Sequence, residues 1–217
     1  MGAKISGNML VTREIQYEYP IHEVTLSNYY IGETEVTQQL WKAIMGTNPS
    51  YNLNPQAPVE YVSWNDCKEF IRRLNKRTGL RFRLPTEAEW EFAARGGNLG
   101  NGCVFSGSDE LREVGWYDKN SSGVIQPVKS LSPNELGIYD MSGNVFEWCE
   151  DWYSSYSADA QVNPKGPKNA TNNYGMSYKV IRGGGVSRYG DECRVSCRSY
   201  KIPGFSAHGY GFRLALQ

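Results

Sequence analysis

The sequence has no excess of basic side chains, since 23 Lys and Arg residues balance 23 Asp and Glu residues. A protein that binds nucleic acid usually needs such an excess to neutralise phosphates, so we do not expect a nucleic-acid partner. Histidine is also scarce, with only His22 and His208 present. Two imidazoles exclude an iron, copper or zinc centre that is built from several histidines.

Long apolar runs are missing as well. No stretch approaches the roughly 20 apolar residues that a membrane-spanning helix needs. The first residues, Met1–Lys4, contain no apolar region of the kind found in signal peptides. The chain has five cysteines, which are too few for a disulfide scaffold and leave at least one thiol unpaired in a monomer.

Aromatic residues, by contrast, are plentiful: 15 Tyr, 7 Phe and 6 Trp make up 13% of the 217 residues. This content predicts a substantial core together with an aromatic surface or cleft. Helix starts are marked in the first half of the chain by Thr37, by Ser63 with Asp66 three positions on, and by Thr86 with Glu89. The last two are capping-box patterns.

From residue 96 onward, short apolar pieces alternate with turns rich in Gly, Asn, Ser and Pro. Alternation of apolar and polar residues over 193–198 and 210–216 predicts two strands. The pattern as a whole predicts an α+β fold with long irregular loops, which are usually functional or stabilised by metal. We expect a lead-in over residues 1–22 and one domain over residues 23–217.

Six segments resemble, in order and spacing, the formylglycine-generating-enzyme-like family, which is also called the sulfatase-modifying-factor family. They are Glu35–Thr37, Pro58–Trp64, Arg83–Gly97, Gly137–Trp148, Arg182–Gly184 and Gly211–Leu214. The fold of this family is an elaborated C-type-lectin-like fold of mixed helix and strand with much irregular loop. The resemblance therefore implies that fold for residues 23–217.

Enzymes of this family oxidise a substrate cysteine with a copper-binding pair of cysteines that lie five residues apart. The first position of that pair falls near Arg188, and residues 185–192 contain no cysteine. Cys193 and Cys197 are four apart, which on a strand separates them by about 13 Å, too far to share a soft Cu(I) ion. We therefore expect no copper and no enzyme activity, with a cysteine oxidase of the formylglycine-generating type as the alternative.

The C-terminal segment, 182–217, resembles the variable region of proteins that are diversified by diversity-generating retroelements, of the TvpA type. Such proteins use the same fold to display hypervariable side chains for ligand binding. The resemblance implies a fixed frame of Arg182, Gly183, Gly184, Cys193, Arg194, Ser196, Arg198, Pro203, Gly211, Phe212 and Arg213. The implied variable, ligand-binding positions are Ser187, Arg188, Tyr189, Asp191, Cys197, Tyr200, Lys201, Ile202, Gly204, Phe205, His208 and Tyr210.

The chemistry of these variable positions is that of a binding surface, because Tyr, Phe and His supply rigid contact area at low entropic cost. Residues 182–217 contain six basic and two acidic side chains, a net charge of +4, which favours acidic ligands unless the frame arginines are paired internally. We expect a protein or other surface ligand. We also expect the cell surface or exterior, with any membrane contact made through an anchor outside this sequence. In the alternative interpretation, the aromatic residues pack into the core.

The resemblance also implies a structural calcium ion bound by Asp140, Glu147 and the carbonyl groups of Gly143 and Val145. Carboxylate and carbonyl oxygens are the ligands that Ca²⁺ takes. In the alternative, Asp140 caps the turn and Glu147 pairs with an arginine. The family's second calcium site has no counterpart over residues 110–125.

Two further hypotheses concern glutamates and cysteines. The glutamates at 87, 89 and 91 stand at the start of a predicted helix, where they complement the helix dipole. Cys149 and Cys193 both belong to family motifs, and the resemblance allows a disulfide between them.

Overall fold

The computed structural model describes residues 1–2, 17–168, 171 and 175–217. Its helices are α1 (Gln38–Met45), α2 (Trp64–Thr78), α3 (Glu87–Ala94) and α4 (Leu111–Val114), with 3₁₀ helices at Gly97–Leu99 and Gly190–Cys193. Its strands are β1 (Val24–Thr25), β2 (Tyr30–Ile31), β3 (Phe82–Arg83), β4 (Phe146–Trp152), β5 (Gln161–Val162), β6 (Lys179–Arg182), β7 (Arg198–Lys201), β8 (Tyr210–Gly211) and β9 (Ala215–Leu216). Over the described residues, no helix is both long and apolar enough to cross a membrane.

All three predicted helix starts are confirmed. The Thr37 hydroxyl accepts a hydrogen bond from the Leu40 amide, so it caps α1. Helices α2 and α3 both begin with a complete capping box, in which the cap hydroxyl and the carboxylate three residues on exchange hydrogen bonds with backbone amides. These local bonds satisfy amides that have no partner within the helix, which is why the sequence alone locates the boundaries.

The largest sheet has four strands in the order β7-β6-β4-β8. Strand β6 is antiparallel to β4 and β7, whereas β8 is parallel to β4. Three of the four strands therefore come from the last 39 residues, so the C-terminal segment is built into the sheet. A three-stranded sheet, β2-β9-β3, brings the end of the chain back to its first half.

The main core lies between α1, α2 and one face of the large sheet. Trp41 stacks on Phe70 with ring centroids 5.2 Å apart, and Phe212 meets the Phe70 ring edge-on at 5.4 Å. A second cluster, which includes Trp90 and Val180, covers the opposite face. The sheet is thus buried on both sides, which holds its exposed loops in fixed positions.

The prediction of a strand over residues 193–198 is wrong. Residues up to Cys193 form a 3₁₀ helix, and the Cys197 amide then donates to the Arg194 carbonyl in a turn before β7 begins at Arg198. The alternation of apolar residues is real, but it reflects a turn that is buried against Arg182. The spacing of 13 Å between the two cysteines therefore does not apply.

The described end of the lead-in packs on the domain. Glu18 is fully buried and forms an ion pair with Arg194 at 2.7 Å. The Tyr17 carbonyl accepts a hydrogen bond from Arg198. Residues 17–22 therefore belong structurally to the domain, whereas residues 3–16 of the predicted lead-in lie outside the described part of the chain.

Candidate ligand-binding surface

The predicted frame is built around Arg182, which is completely buried on β6. Its guanidinium donates hydrogen bonds to the carbonyls of Val195, Ser196 and Cys197, so one side chain holds three consecutive peptide groups of an irregular segment. It also pairs with Glu91 on α3. Burial opposes ionisation of Glu91, but the positive charge of Arg182 outweighs it and holds the pKa of this carboxyl below its usual value.

Other frame arginines form ion pairs of the same kind. Arg198 binds both oxygens of Glu87, at 2.8 and 2.5 Å, and Arg194 binds Glu18. The predicted role of the glutamates on α3 is therefore incomplete, because Glu87 and Glu91 mainly neutralise buried arginines. Sequence reasoning missed these pairs since the partners lie about 90 to 110 positions apart. The equal number of acidic and basic residues was the only feature of the sequence that pointed to such ion pairs.

The structure divides the twelve predicted variable positions by exposure. Exposed are Ser187, Tyr189, Asp191, Ile202 and Gly204. Half-buried are Arg188, Tyr200, Lys201, Phe205 and His208. Buried are Cys197 and Tyr210. The burial of the last two was not expected, and because changes of size in a packed core are costly, we expect these two positions to tolerate fewer side chains than the exposed ones.

Tyr210 is buried because three aromatic side chains meet at this end of the sheet. Its ring lies 5.3 Å from Phe146 and 5.1 Å from Phe205, and only 4% of its surface is exposed. Its hydroxyl accepts a hydrogen bond from Arg188 at 3.2 Å. Cys197 is buried because its carbonyl is bound by the central frame arginine, which draws the turn inward.

The rim above Tyr210 is formed by Arg188, Lys201, Phe205 and His208, and we call these four residues the rim cluster. The Arg188 guanidinium lies 5.2 Å from the centroid of the Phe146 ring, and the Lys201 ammonium lies 5.2 Å from that of Phe205. Both are cation–π distances, which favour cationic groups over aromatic faces. The rim cluster therefore combines positive charge, aromatic area and one imidazole on a single surface.

Residues outside the predicted variable region complete this surface. The two ring nitrogens of His208 lie 3.2 Å from a carboxylate oxygen of Glu60 and 3.0 Å from the Gly123 carbonyl. Tyr61 lies 6.3 Å from the imidazole, and its φ of 59° is an uncommon conformation for a bulky side chain. The Pro58–Trp64 motif contained two of these residues, but nothing in it indicated which loop they would meet.

Tyr200 does not share the rim cluster. It lies opposite Val180 in the sheet, and its ring packs on Tyr153 at 4.3 Å and on Tyr178 at 5.0 Å. Successive residues of a strand point to opposite faces, so Tyr200 and Lys201 project in opposite directions. The predicted variable positions therefore form more than one surface.

The residues predicted to bind calcium make other contacts. Glu147 is completely buried, and its two oxygens accept hydrogen bonds from Arg213, each at 2.7 Å, with a third from Trp90. Asp140 accepts the amide hydrogen of Lys129, and burial raises the pKa of Asp140 to about 6. This arrangement matches the alternative interpretation, in which Glu147 pairs with an arginine.

Negative charge is nevertheless concentrated around Asp140 and Glu147. Glu35 is buried without a hydrogen-bond partner for either oxygen, and its burial, together with the charge of Asp140, raises its pKa. Within the described residues, however, no three His, Cys, Asp or Glu side chains are placed to hold one ion. The amide of Gly143 donates to the Gly183 carbonyl, and the side chain of Val145 is part of an apolar cluster. These contacts involve the amide of Gly143 and the side chain of Val145 and not their carbonyl groups, so the calcium site stays a prediction.

All five cysteines are free, so the hypothesis of a disulfide between Cys149 and Cys193 is wrong. Cys193 and Cys197 are both buried, and burial raises the pKa of each thiol to about 12. Thiols of this kind stay protonated and unreactive at neutral pH.

Together, the helices, the short strands and the long irregular loops define a C-type-lectin-like fold. Residues 4–217 match the model of the sulfatase-modifying factor enzyme 1-like domain, and the chain belongs to that family. The solved structure of Treponema denticola variable protein 1 is similar over 100% of this chain and 92% of that one, with a TM-score of 0.85 and 32% identity.

Two curated relatives show the breadth of the family. The formylglycine-generating enzyme of Streptomyces coelicolor is 36% identical over an alignment of 194 positions, which covers 81% of this chain and 57% of that enzyme. The chaperone protein LppX of Paenibacillus barcinonensis is 33% identical over an alignment of 245 positions, which covers 89% of this chain and 80% of that protein. The relatives of this chain therefore include both an enzyme and a protein that is named a chaperone.

Proposed function

We propose that this chain is a non-enzymatic display protein, whose segment 182–217 presents diversified side chains to a protein or other surface ligand outside the cell. The observation that carries the proposal is the similarity to Treponema denticola variable protein 1, which extends over the whole of this chain. Its name describes a variable protein, and the shared length includes the segment that holds the rim cluster.

The contacts of the segment support this function. A display surface needs a frame that tolerates changes at exposed positions, and here Arg182 binds the turn from within the core. Tyr189, which is 71% exposed, and Ile202, which is 46% exposed, lie outside these contacts. Rigid aromatic groups on a fixed frame bind with a small loss of conformational entropy.

The net charge of +4 over residues 182–217 gives little information about the ligand. Of its six basic residues, Arg182, Arg194, Arg198 and Arg213 form ion pairs with glutamates of other elements. The remaining basic residues, at 188 and 201, are balanced by acidic residues at 191 and 192. The proposal therefore includes no preference for acidic ligands, and recognition depends on aromatic contact and hydrogen bonding.

A paired library tests the function. One library randomises the exposed positions Ser187, Tyr189, Asp191, Ile202 and Gly204, and a matched library randomises the same number of buried positions, namely Arg182, Cys193, Cys197, Arg198 and Tyr210. We expect most members of the first library, and few of the second, to remain folded on a cell surface. Selection from the first library on an unrelated purified protein should yield binders whose affinity depends on the selected residues.

Two results would contradict the proposal. The first is a library of exposed positions that folds but never yields binders. The second is turnover of a cysteine-containing sulfatase peptide by the wild-type chain with copper, which would establish the oxidase alternative. Fractionation of cells that make the natural protein tests its location, which we propose to be the cell exterior.

A further inference from the structure

Basic side chains are concentrated at the end of α2. Residues 70–86 contain six basic residues and no acidic one, and because the whole chain is neutral, all other residues together carry a net charge of −6. One of the six, Arg83, is half-buried and paired with Glu89. The other five are exposed, and we call them the basic ladder: Arg72, Arg73, Lys76, Arg77 and Arg81. A surface with charge of one sign attracts a partner of the opposite sign.

The geometry of α2 arranges the basic ladder as an extended line of charge. Residues four positions apart on a helix lie one turn above the other, with Cβ atoms about 5–6 Å apart, so the four helical members form two parallel rows. Arg81 follows the helix and stays beside its last turns, because two hydrogen bonds between Asn75 and Phe82 hold the returning chain against α2. The cationic groups are therefore placed to contact a long, linear partner.

The basic ladder has only one acidic partner within the described part of the chain. Glu69 is bound by Arg72 and Arg73, each at 2.7 Å, and these hydrogen bonds hold the pKa of Glu69 down to about 2. Lys76 and Arg81 form no ion pair with any described residue. One carboxylate against five cations leaves a net charge of +4 on this surface. This charge contrasts with the buried arginines of the frame, each of which has its own glutamate.

The fold itself explains only part of this charge. Lys76 and Arg77 stand in the last turn of α2, where cations interact favourably with the helix dipole, and Arg77 also donates to the Ala43 carbonyl at 3.0 Å. The two rows, however, place like charges four positions apart, which destabilises a helix. Arg81 lies beyond the helix and has no bond to any described residue. An anion from outside the protein would relieve this repulsion.

The surroundings of the basic ladder distinguish between classes of anionic partner. The apolar face of α2 is buried in the main core, so the helix has no apolar face left to enter a bilayer. Residues 72–81 contain no aromatic side chain on which the bases of a nucleic acid could stack. A linear polysaccharide with sulfate or carboxylate groups needs neither feature. Four of the five members are arginines, whose planar guanidinium groups bind such oxyanions through two parallel hydrogen bonds.

We propose that the basic ladder binds a linear anionic polysaccharide, which lies along α2 and contacts the ladder through its sulfate or carboxylate groups. This site lies away from the rim cluster. The first turn of α2 meets segment 182–217, where the Asn65 amide donates to the Pro203 carbonyl at 3.3 Å. The 15 residues of the helix, about 22 Å, separate that contact from the end of α2. A polysaccharide on the ladder therefore leaves the rim cluster free, and the proposal does not depend on the display function.

The test is calorimetric titration of the full chain with heparin, a sulfated polysaccharide, in buffer of low ionic strength. We expect binding that weakens steeply with added salt, because salt screens exposed charges. The double variant Lys76→Gln with Arg81→Gln removes two cations that have no ionic partner among the described residues, so it should stay folded and bind roughly tenfold more weakly. The matched control, Lys119→Gln with Lys165→Gln, removes two exposed cations elsewhere and should bind like the wild type.

A third variant changes the affinity in the opposite direction. Glu69→Gln removes the carboxylate that Arg72 and Arg73 share, and it leaves both guanidinium groups free for the ligand. We expect this variant to bind heparin about twofold more tightly than the wild type. A purely structural role of the ladder would not produce such a gain.

Three results would overturn the proposal. The first is no binding of heparin by the wild type at low ionic strength, and the second is an equal loss of affinity in the double variant and its matched control. The third is tighter binding to single-stranded oligothymidine or to phosphatidylglycerol vesicles than to heparin, which would assign the ladder to a different class of partner. None of these outcomes bears on the paired-library test, so the two proposals fail separately.

Discussion

The burial of Tyr210 leads to a sharp prediction about which positions of the C-terminal segment tolerate change. Tyr210→Ala removes a ring that is 4% exposed and lies within 5.3 Å of two other aromatic rings. Truncation of a buried aromatic side chain costs about 3–5 kcal/mol. We expect Tyr210→Ala to cost about 3 kcal/mol, at the lower end of this range, because Tyr210 lies directly beneath the half-buried rim cluster. For a chain of this size, that corresponds to a fall in melting temperature of roughly 6–12 °C.

Tyr189→Ala is the matched control, because it removes the same side chain from a position that is 71% exposed. We expect its free energy of unfolding to change by less than about 0.5 kcal/mol. Thermal and urea unfolding, followed by circular dichroism, measure both variants. Equal stability of the two variants would refute the assignment of Tyr210 to the core and return it to the freely variable positions.

Four further predictions concern the buried polar groups and the thiols. Arg213→Met leaves the Glu147 carboxylate buried without its partner and should cost about 3–5 kcal/mol in urea unfolding. If Arg213 alone neutralises Glu147, calcium should not raise the melting temperature of the wild type, whereas a clear increase would support the calcium site. Glu60→Gln weakens bonds to the amides of Tyr51 and Gly209, so we expect hydrogen exchange at both amides to accelerate and stability to fall by about 1–3 kcal/mol. Of the five thiols, only Cys103 is partly exposed, so it alone should react with a thiol reagent before denaturation.

Local patterns in the sequence determined several elements correctly. Thr37, Ser63 and Thr86 each mark a helix start, because the bonds of a cap join residues only three positions apart. The ordered motifs also determined the family and its fold, since they extend over nearly the whole chain. These features depend on short-range bonds or on the pattern of the entire sequence, both of which can be seen without coordinates.

Tertiary structure alone decided which side chains are displayed. Arg182 and Glu91 are 91 positions apart, and nothing local indicates that the arginine draws residues 195–197 into the core. The same alternation of apolar residues that predicts a strand is produced by this buried turn. Exposure and the pairing of Glu147 with Arg213 both depend on distant residues. Burial and charge pairing are set by the packing of the whole domain, whereas helix caps are set by their nearest neighbours.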